Sequence, residues 1–490
     1  MPRRTAPASI PRVSLRQLWA FLAIALPVLG AVIAPLPSVD LAYHLRAGAE
    51  ILATRAIPSV DTWTFTAAGM PWQDQQWGAQ VVLAAAYQAL GWTGLILVRA
   101  ALVGVAFGLL FDLCRRRAGS IRVAALLSLA AFGCAAITLG LRPQLFGVAL
   151  FSATLWLVLR RREAPRLLWI VVPLEIAWVN MHGSFILGPA LLGIALVEDL
   201  VDRDRSWRMS AVALAGTLIA TVVNPFGLAV WGYAAGITTN SVITSRITEW
   251  QPTSIRTPEG ALFFLSAGLV AIGAVRAAAN GRRVRWTMLL WLAPFLLLGA
   301  WAVRGLAWWP FVAAATMAPL LALAGAEGRE PAPQRADPPV MRRLNAAIAV
   351  VIVLVAIVAL PVFRPEDPKL GAPAGVVGAA PPGITDALRQ VVKPGDRLLA
   401  PQPWGSWFEF ALPDAQVAVD SRIELIPAAA WDGVDRIADG APGWEQTLRD
   451  WGVTQVVAAP DQTELVSRLQ ANGWTVAYRD EDGTLLIRAA

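Results

Sequence analysis

Apolar runs long enough to cross a bilayer recur along the first three quarters of this chain, and nothing constrains its fold more. Eleven can be marked, at 17–36, 92–113, 121–140, 143–159, 167–182, 184–200, 209–228, 260–276, 286–303, 306–325 and 344–363. At 1.5 Å per residue, about 20 residues of helix span a hydrocarbon core of about 30 Å. Hydrophobic residues make up 56% of the sequence and charged residues 15%, with a mean hydropathy of +0.55. Soluble chains carry about 25% charged residues, so the composition excludes an ordinary soluble enzyme as well as disordered and collagen-like chains. The only two cysteines, Cys114 and Cys134, lie in or beside different apolar runs, which leaves no disulfide framework.

Charge divides the chain in two. Residues 1–363 contain 30 Arg against 16 acidic residues, whereas residues 364–490 contain 11 basic against 18 acidic. The basic residues are scattered between apolar runs instead of gathered on one soluble face, so the high pI is no argument for a nucleic-acid partner. Placing the N-terminus in the cytoplasm and alternating the runs puts 23 Arg into the cytoplasmic loops, at 3, 4, 12, 16, 115–117, 122, 160–162, 166, 203, 205, 208, 276, 282, 283, 285, 329, 335, 342 and 343. Only Arg46, Arg55, Arg99, Arg142, Arg246, Arg256 and Arg304 remain for the other side or the membrane. This asymmetry predicts a multi-pass protein of a bacterial plasma membrane, with its C-terminal part extracytoplasmic. The first run has no small-residue cleavage site and reads as a retained anchor.

The predicted organisation is a membrane domain over 1–363, a Pro/Gly/Ala-rich linker over 364–380 and an extracytoplasmic α/β domain over 381–490. Within the last, DRLLAPQ, AQVAVD, TQVVAAP and TLLIRA read as strands, and TDALRQVV and TELVSRLQANG as helices. Two outer loops are long, 37–91 and about 229–259. The first includes a short amphipathic helix over 41–53.

Ionisable groups beside or inside a membrane are expensive and mark candidate sites. Asp40 follows the first run almost at once. It reads either as a general base beside a lipid-borne substrate or as the N-cap of the 41–53 helix, with Asp61 opening a turn. His44 and His182, the only histidines, could join Asp40 in a proton-transfer or metal site, or each could cap a helix. No HExxH or CxxC spacing supports a divalent metal, so no cofactor is assigned. Arg142 and Arg304 lie nearest the outer ends of runs, where a guanidinium can take a lipid phosphate in forked geometry or simply snorkel. Glu175 sits inside an apolar run. No phosphate-binding glycine motif occurs.

Several stretches resemble one family in order along the chain: SVDLAYHLRAGAEILATRAIPSVDTWTF and onward from Ser38, RPQLF at 142–146, WVNMHGSFILG at 178–188, NPFG at 224–227, ITEWQP at 247–252 and PWGSWFEFALPDAQVAVDSRIEL at 403–425. They resemble bacterial GT-C-type membrane glycosyltransferases, in the group described as dolichyl-phosphate-mannose-protein mannosyltransferase-like or RgtA/B/C/D-like. The resemblance implies an enzyme that moves a sugar from a polyprenyl-phosphate carrier to a glycan, lipid or protein acceptor on the outer side. It further implies Asp40 as the acid of the first outer loop, Asp61 as a second acid, Arg142 at the donor phosphate, and His182, Glu249 and Trp250 lining the cavity. Leu41 and Ala42 follow Asp40, so the paired acids of better-known members are absent. The alternatives are a non-catalytic scaffold for cell-envelope assembly and a transporter or flippase of lipid-linked saccharides.

Overall fold

A computed structural model describes residues 13–322 and 337–488. Each of the eleven apolar runs carries a helix. In chain order with the outer helices these are α1 (Leu15–Ile33), α2 (Ser38–Thr54), α3 (Trp77–Ala118), α4 (Ile121–Ala135), α5 (Pro143–Leu159), α6 (Val171–Val179) and α7 (Leu187–Val201). There follow α8 (Trp207–Ala220), α9 (Ala229–Thr239), α10 (Ser241–Arg246), α11 (Pro258–Ala279), α12 (Met288–Trp301), α13 (Trp309–Met317) and α14 (Pro339–Val358). Among the described residues, six helical stretches are individually long and apolar enough to cross a membrane. This is a multi-pass membrane protein. The runs holding α6 and α13 are partly wound as 3-10 turns, Pro165–Ile170 and Val303–Ala307, which shortens their α-helical parts. The topology-marking Arg3, Arg4, Arg12, Arg329 and Arg335 and the end of the 306–325 run lie outside the described residues.

Local chemistry sets the start of the first outer loop. Pro35 and Pro37 cannot continue α1, and the chain turns straight into α2. That helix is longer than the sequence suggests, beginning at Ser38, so Asp40 sits in its first turn and is not its N-cap. A carboxylate there faces the positive end of the helix dipole. The buried Arg99 of α3 donates to the carbonyls of Ala34 and Pro35, the latter at 3.0 Å, which ties the end of α1 to α3. α2 lies against α3 at Gly48, where a Cβ would come within 2.1 Å of the Gln80 carbonyl oxygen. α3 begins well before its apolar run, at Trp77, and breaks at Gly91, whose φ of 57° suits glycine.

The C-terminal region forms a five-stranded sheet in the spatial order 416–417, 397–399, 455–458, 483–488, 474–480. The first three strands are parallel and the last two antiparallel. All four strands read from the sequence are present, and Trp474–Asp480 is a fifth. Helices α15 (Pro382–Val391), α16 (Gln402–Ala411), α17 (Ala428–Asp439), α18 (Trp444–Asp450) and α19 (Thr463–Ala471) accompany the sheet. The tail's tryptophans serve its packing: Trp407, Trp431, Trp444 and Trp474 are all buried.

This tail is built onto the segment 37–91 between α1 and the apolar run of α3. Thr64 forms a parallel bridge to Val417 on the otherwise free edge of the sheet, and Phe65 N–H donates to the Val417 carbonyl at 3.1 Å. Ser421 Oγ donates to the Val39 carbonyl at 2.7 Å, one residue before Asp40. At the centre of the contact lies Arg422, 1% exposed, whose guanidinium meets Asp420, Asp61 at 2.7 Å and Glu409 at 3.6 Å. Trp63 and Trp72 cover it, with its Cζ 4.3 and 4.6 Å from their ring centres. Burial and the neighbouring Asp420 push the Glu409 carboxyl well above its ordinary range.

Three buried acids share this one cation, so Arg422→Ala leaves them uncompensated. Removing one partner of a buried ion pair costs about 3–5 kcal/mol. We expect the variant to melt well below the parent and to expose the tail to limited proteolysis, with Asp61→Asn milder. Coincident melting and digestion of Arg422→Ala and parent would show that this centre does not hold the tail.

Candidate active site

Four segments place the ionisable residues of the candidate site. Asp40 comes from the first turn of α2. Arg142 is the N-cap of α5, held in extended conformation (φ −157°, ψ 170°) with Pro143 at the first helical position. Glu249 sits in the 3-10 turn Thr248–Trp250, and Arg304 in the turn Val303–Ala307. These two turns are stitched together: Val303 N–H donates to the Gln251 carbonyl at 3.1 Å, Trp250 meets Trp301 edge-on at 5.9 Å, and the Arg304 guanidinium lies 5.1 Å from the Trp250 ring centre.

Their side chains converge. Arg142 Nη1 lies 2.6 Å from Glu249 Oε1 and 3.3 Å from Asp40 Oδ2, while Arg304 Nε lies 3.5 Å from Glu249 Oε2. The group is neither sealed nor fully wet, with side chains 15% exposed at Arg142 and 28–30% at Asp40, Glu249 and Arg304. Burial alone would lower the Arg142 pKa, but Glu249 and Asp40 raise it, and the guanidinium stays charged. Burial would raise Glu249, yet Arg142 and Arg304 hold it below the usual carboxylate range. Both Arg142 contacts use Nη1, so Nε and Nη2 have no partner among the described residues.

The two histidines stand beside this group in hydrogen-bonded roles. His182 caps the following 3-10 turn, its Nδ1 accepting from the Ser184 N–H at 3.1 Å. His44 Nδ1 lies 3.3 Å from Gln80 Nε2 and its ring 3.9 Å from that of Tyr43. Burial, and then the charge of Arg142, lower the His44 pKa well below the imidazole norm. Asp61 is elsewhere. It pairs with Arg422 and accepts from Thr64 Oγ1 at 2.6 Å, so its visible work is to join loop and tail. Glu175 is apart as well, buried against Gly188 with Oε1 unpartnered.

The structure adds residues the sequence reading did not select. Tyr43 is buried within electrostatic reach of Asp40, Glu424, Tyr233 and Asp74, and burial with those charges drives its pKa well up. Tyr233 O–H donates to Glu424 Oε1 at 3.1 Å, which brings a carboxylate of the tail within electrostatic reach of Tyr43. Glu424 lies inside the stretch 403–425 that carries the family resemblance, the one signal that could have found it. A divalent metal does not fit these residues as arranged. Among the described residues no three of His, Cys, Asp and Glu come together, and the carboxylates of Asp40 and Glu249 are bridged by a guanidinium.

Among solved structures, the chain is similar to the Archaeoglobus fulgidus oligosaccharyltransferase tethered to an acceptor peptide containing the NVT sequon. The identity is 15% and the TM-score 0.50, over 90% of this chain and 69% of that one. It is also similar to the oligosaccharyltransferase AglB of the same organism in complex with an inhibitory peptide and a dolichol-phosphate, at 13% identity and a TM-score of 0.48 over 90% and 69% of the two chains. The fold is therefore that of GT-C-type membrane glycosyltransferases. No protein-family model matches the chain, and no curated protein matches it in sequence.

Asp74, within electrostatic reach of Tyr43, supplies a pH test of this region. It is 3% exposed, accepts from Gln80 Nε2 at 2.7 Å and leaves Oδ2 unpartnered; burial pushes its pKa up to about 7. The unfolded carboxyl ionises near pH 4. Between about pH 4 and 7 the folded state holds the extra proton, so Asp74's contribution is complete at low pH and falls as pH rises, by at most about 1.4 kcal/mol per pH unit. Asp74→Asn removes this loss and should gain stability relative to the parent across that window in thermal unfolding. Parallel pH profiles for the two proteins would mean that Asp74 is ionised in the fold.

Proposed function

We propose that this protein is a membrane glycosyltransferase that transfers a sugar, with inversion, from a polyprenyl-phosphate-linked donor to an acceptor at the outer face of a bacterial plasma membrane. The observation that carries the reading is the Asp40–Arg142–Glu249–Arg304 cluster, which pairs a carboxylate with two guanidiniums that still have donors to offer. The fold supports the class of reaction. The acceptor is a glycan, lipid or protein, and the arginine asymmetry supports a cytoplasmic N-terminus with the tail outside.

In this reading the donor phosphate sits against the unused donors of Arg142 and Arg304. Asp40 takes the proton of the acceptor hydroxyl as its oxygen attacks the anomeric carbon. The bond from that carbon to the phosphate oxygen breaks, the electron pair stays on the phosphate, and the two guanidiniums stabilise the growing charge. Glu249 holds both arginines in place before the donor arrives. His44, His182 and Trp250 line the chamber, and Asp61 acts at a distance by docking the tail that carries Glu424. The sugar itself is set by parts of the chamber that no motif marks.

Transfer of labelled sugar from a polyprenyl-phosphate donor in membranes tests this directly. Asp40→Asn and Arg142→Ala should each lower the rate by about 100-fold or more, and Arg304→Ala by roughly tenfold. Undiminished transfer in both of the first two variants would remove the assigned site. Lipid-linked saccharide flipping without any sugar transfer would favour a transporter instead.

A further inference from the structure

A polar cavity lies at the end of the helix bundle opposite the Asp40 cluster. α5 starts beside Arg142 and runs 17 residues, roughly 25 Å, before its end reaches this cavity. The last turn of α3, the end of α7, the start of α12 and the residues following α13 meet it there. Its volume is about 690 Å³, and six arginines line it: Arg117, Arg161, Arg162, Arg282, Arg283 and Arg285. Ligand pockets commonly run from about 300 to 1,000 Å³, so the space suits a headgroup or a small phosphate.

Carboxylates neutralise only half of these arginines. Arg161 pairs with Glu198 and Asp199, Arg162 with Asp199 and Asp202, and Arg285 with Asp202. Glu198, the single acid in the lining, is occupied by Arg161 at 2.9 Å and by Trp291 Nε1 at 3.3 Å. Arg117 and Arg282 instead donate to main-chain carbonyls, of Ala315 at 2.9 Å and Leu320 at 2.9 Å, which hold their position without cancelling their charge. Arg283 is exposed and has no ion pair or hydrogen bond among the described residues. Three cations with no carboxylate partner thus face one space, two of them fixed in advance. Loops that needed basic residues only for topology would not have to gather them around a cavity.

Trp286 and Leu289, sequence neighbours of the lining residues Arg285, Thr287 and Met288, are 59% and 62% exposed apolar side chains. Arginine forks favour phosphate oxygens, and an indole prefers headgroup depth.

We propose that this arginine cavity binds a phosphate-bearing anion, a site separate from the Asp40 cluster and independent of the reaction assigned there. Bilayer phospholipid headgroups and soluble phosphates share the required chemistry, and the test separates them. The full chain is purified and placed in nanodiscs of phosphatidylcholine, with or without phosphatidylglycerol, and the retained lipid is counted by native mass spectrometry. In parallel, inorganic pyrophosphate is titrated against thermal unfolding in neutral detergent. The parent should retain phosphatidylglycerol preferentially, Arg283→Glu should lower that preference by roughly fivefold, and Arg283→Lys should keep most of it. Stabilisation by pyrophosphate with no lipid preference, weakened in Arg283→Glu, would support the site with a soluble ligand. Absence of both effects in the parent, or their full persistence in Arg283→Glu, would overturn the proposal. Arg283 is exposed, so its variants test binding without threatening the fold.

Discussion

The buried guanidinium of Arg422 is the contact on which the junction between residues 37–91 and the C-terminal tail depends. It lies against Trp63 and Trp72 of the segment 37–91 and faces Asp61 of that segment together with Asp420 and Glu409 of the tail. A charge so deeply buried is tolerable only when paired and hydrogen-bonded, and the pairing forces loop and tail to fold as one surface. Two consequences reach the candidate site. The Val39 carbonyl is gripped by Ser421, which fixes the start of α2 and so Asp40. Glu424, two residues beyond Arg422, is brought to Tyr233 in the second outer loop. The tail thus contributes a carboxylate near the candidate site as well as packing against residues 37–91.

The site follows a similar logic with weaker burial. Asp40, Glu249 and the two arginines compensate one another, which keeps four partly buried charged groups stable before any ligand is present. In the proposed reaction a phosphate would meet donors already aimed and already desolvated in part, and such preorganisation is where electrostatic catalysis gains most. The same arrangement explains why neither carboxylate is placed as a metal ligand: each is already turned toward a guanidinium.

Much of the membrane domain was legible in the sequence. Apolar runs, prolines after α1 and before α5, and glycines at turns act locally, and the eleven runs each contain a helix. The strands of the tail were legible for the same reason, as short β-branched runs bounded by turn residues, although Trp474–Asp480 alternates with exposed polar residues and escaped notice. The family resemblance singled out Asp40, Arg142 and Glu249, which do meet. It also singled out Asp61, whose partner Arg422 lies far along the chain, so its part in docking the tail could not be read from spacing. Arg99 looked like a leftover cation after topology was assigned, and proves to bind the carbonyls of Ala34 and Pro35 just after α1.

Sequence by itself determined that this chain enters a membrane many times, that each apolar run carries a helix, and that a sheet-containing tail follows. Those properties depend on hydrophobicity and backbone preference within about one turn or one strand. Tertiary structure alone decided which charged groups meet: Asp40 with Arg142 and Glu249, Asp61 with Arg422, and six arginines around one cavity. Coulombic pairing depends on distance in space and on shared desolvation, and neither quantity is encoded in separation along the chain.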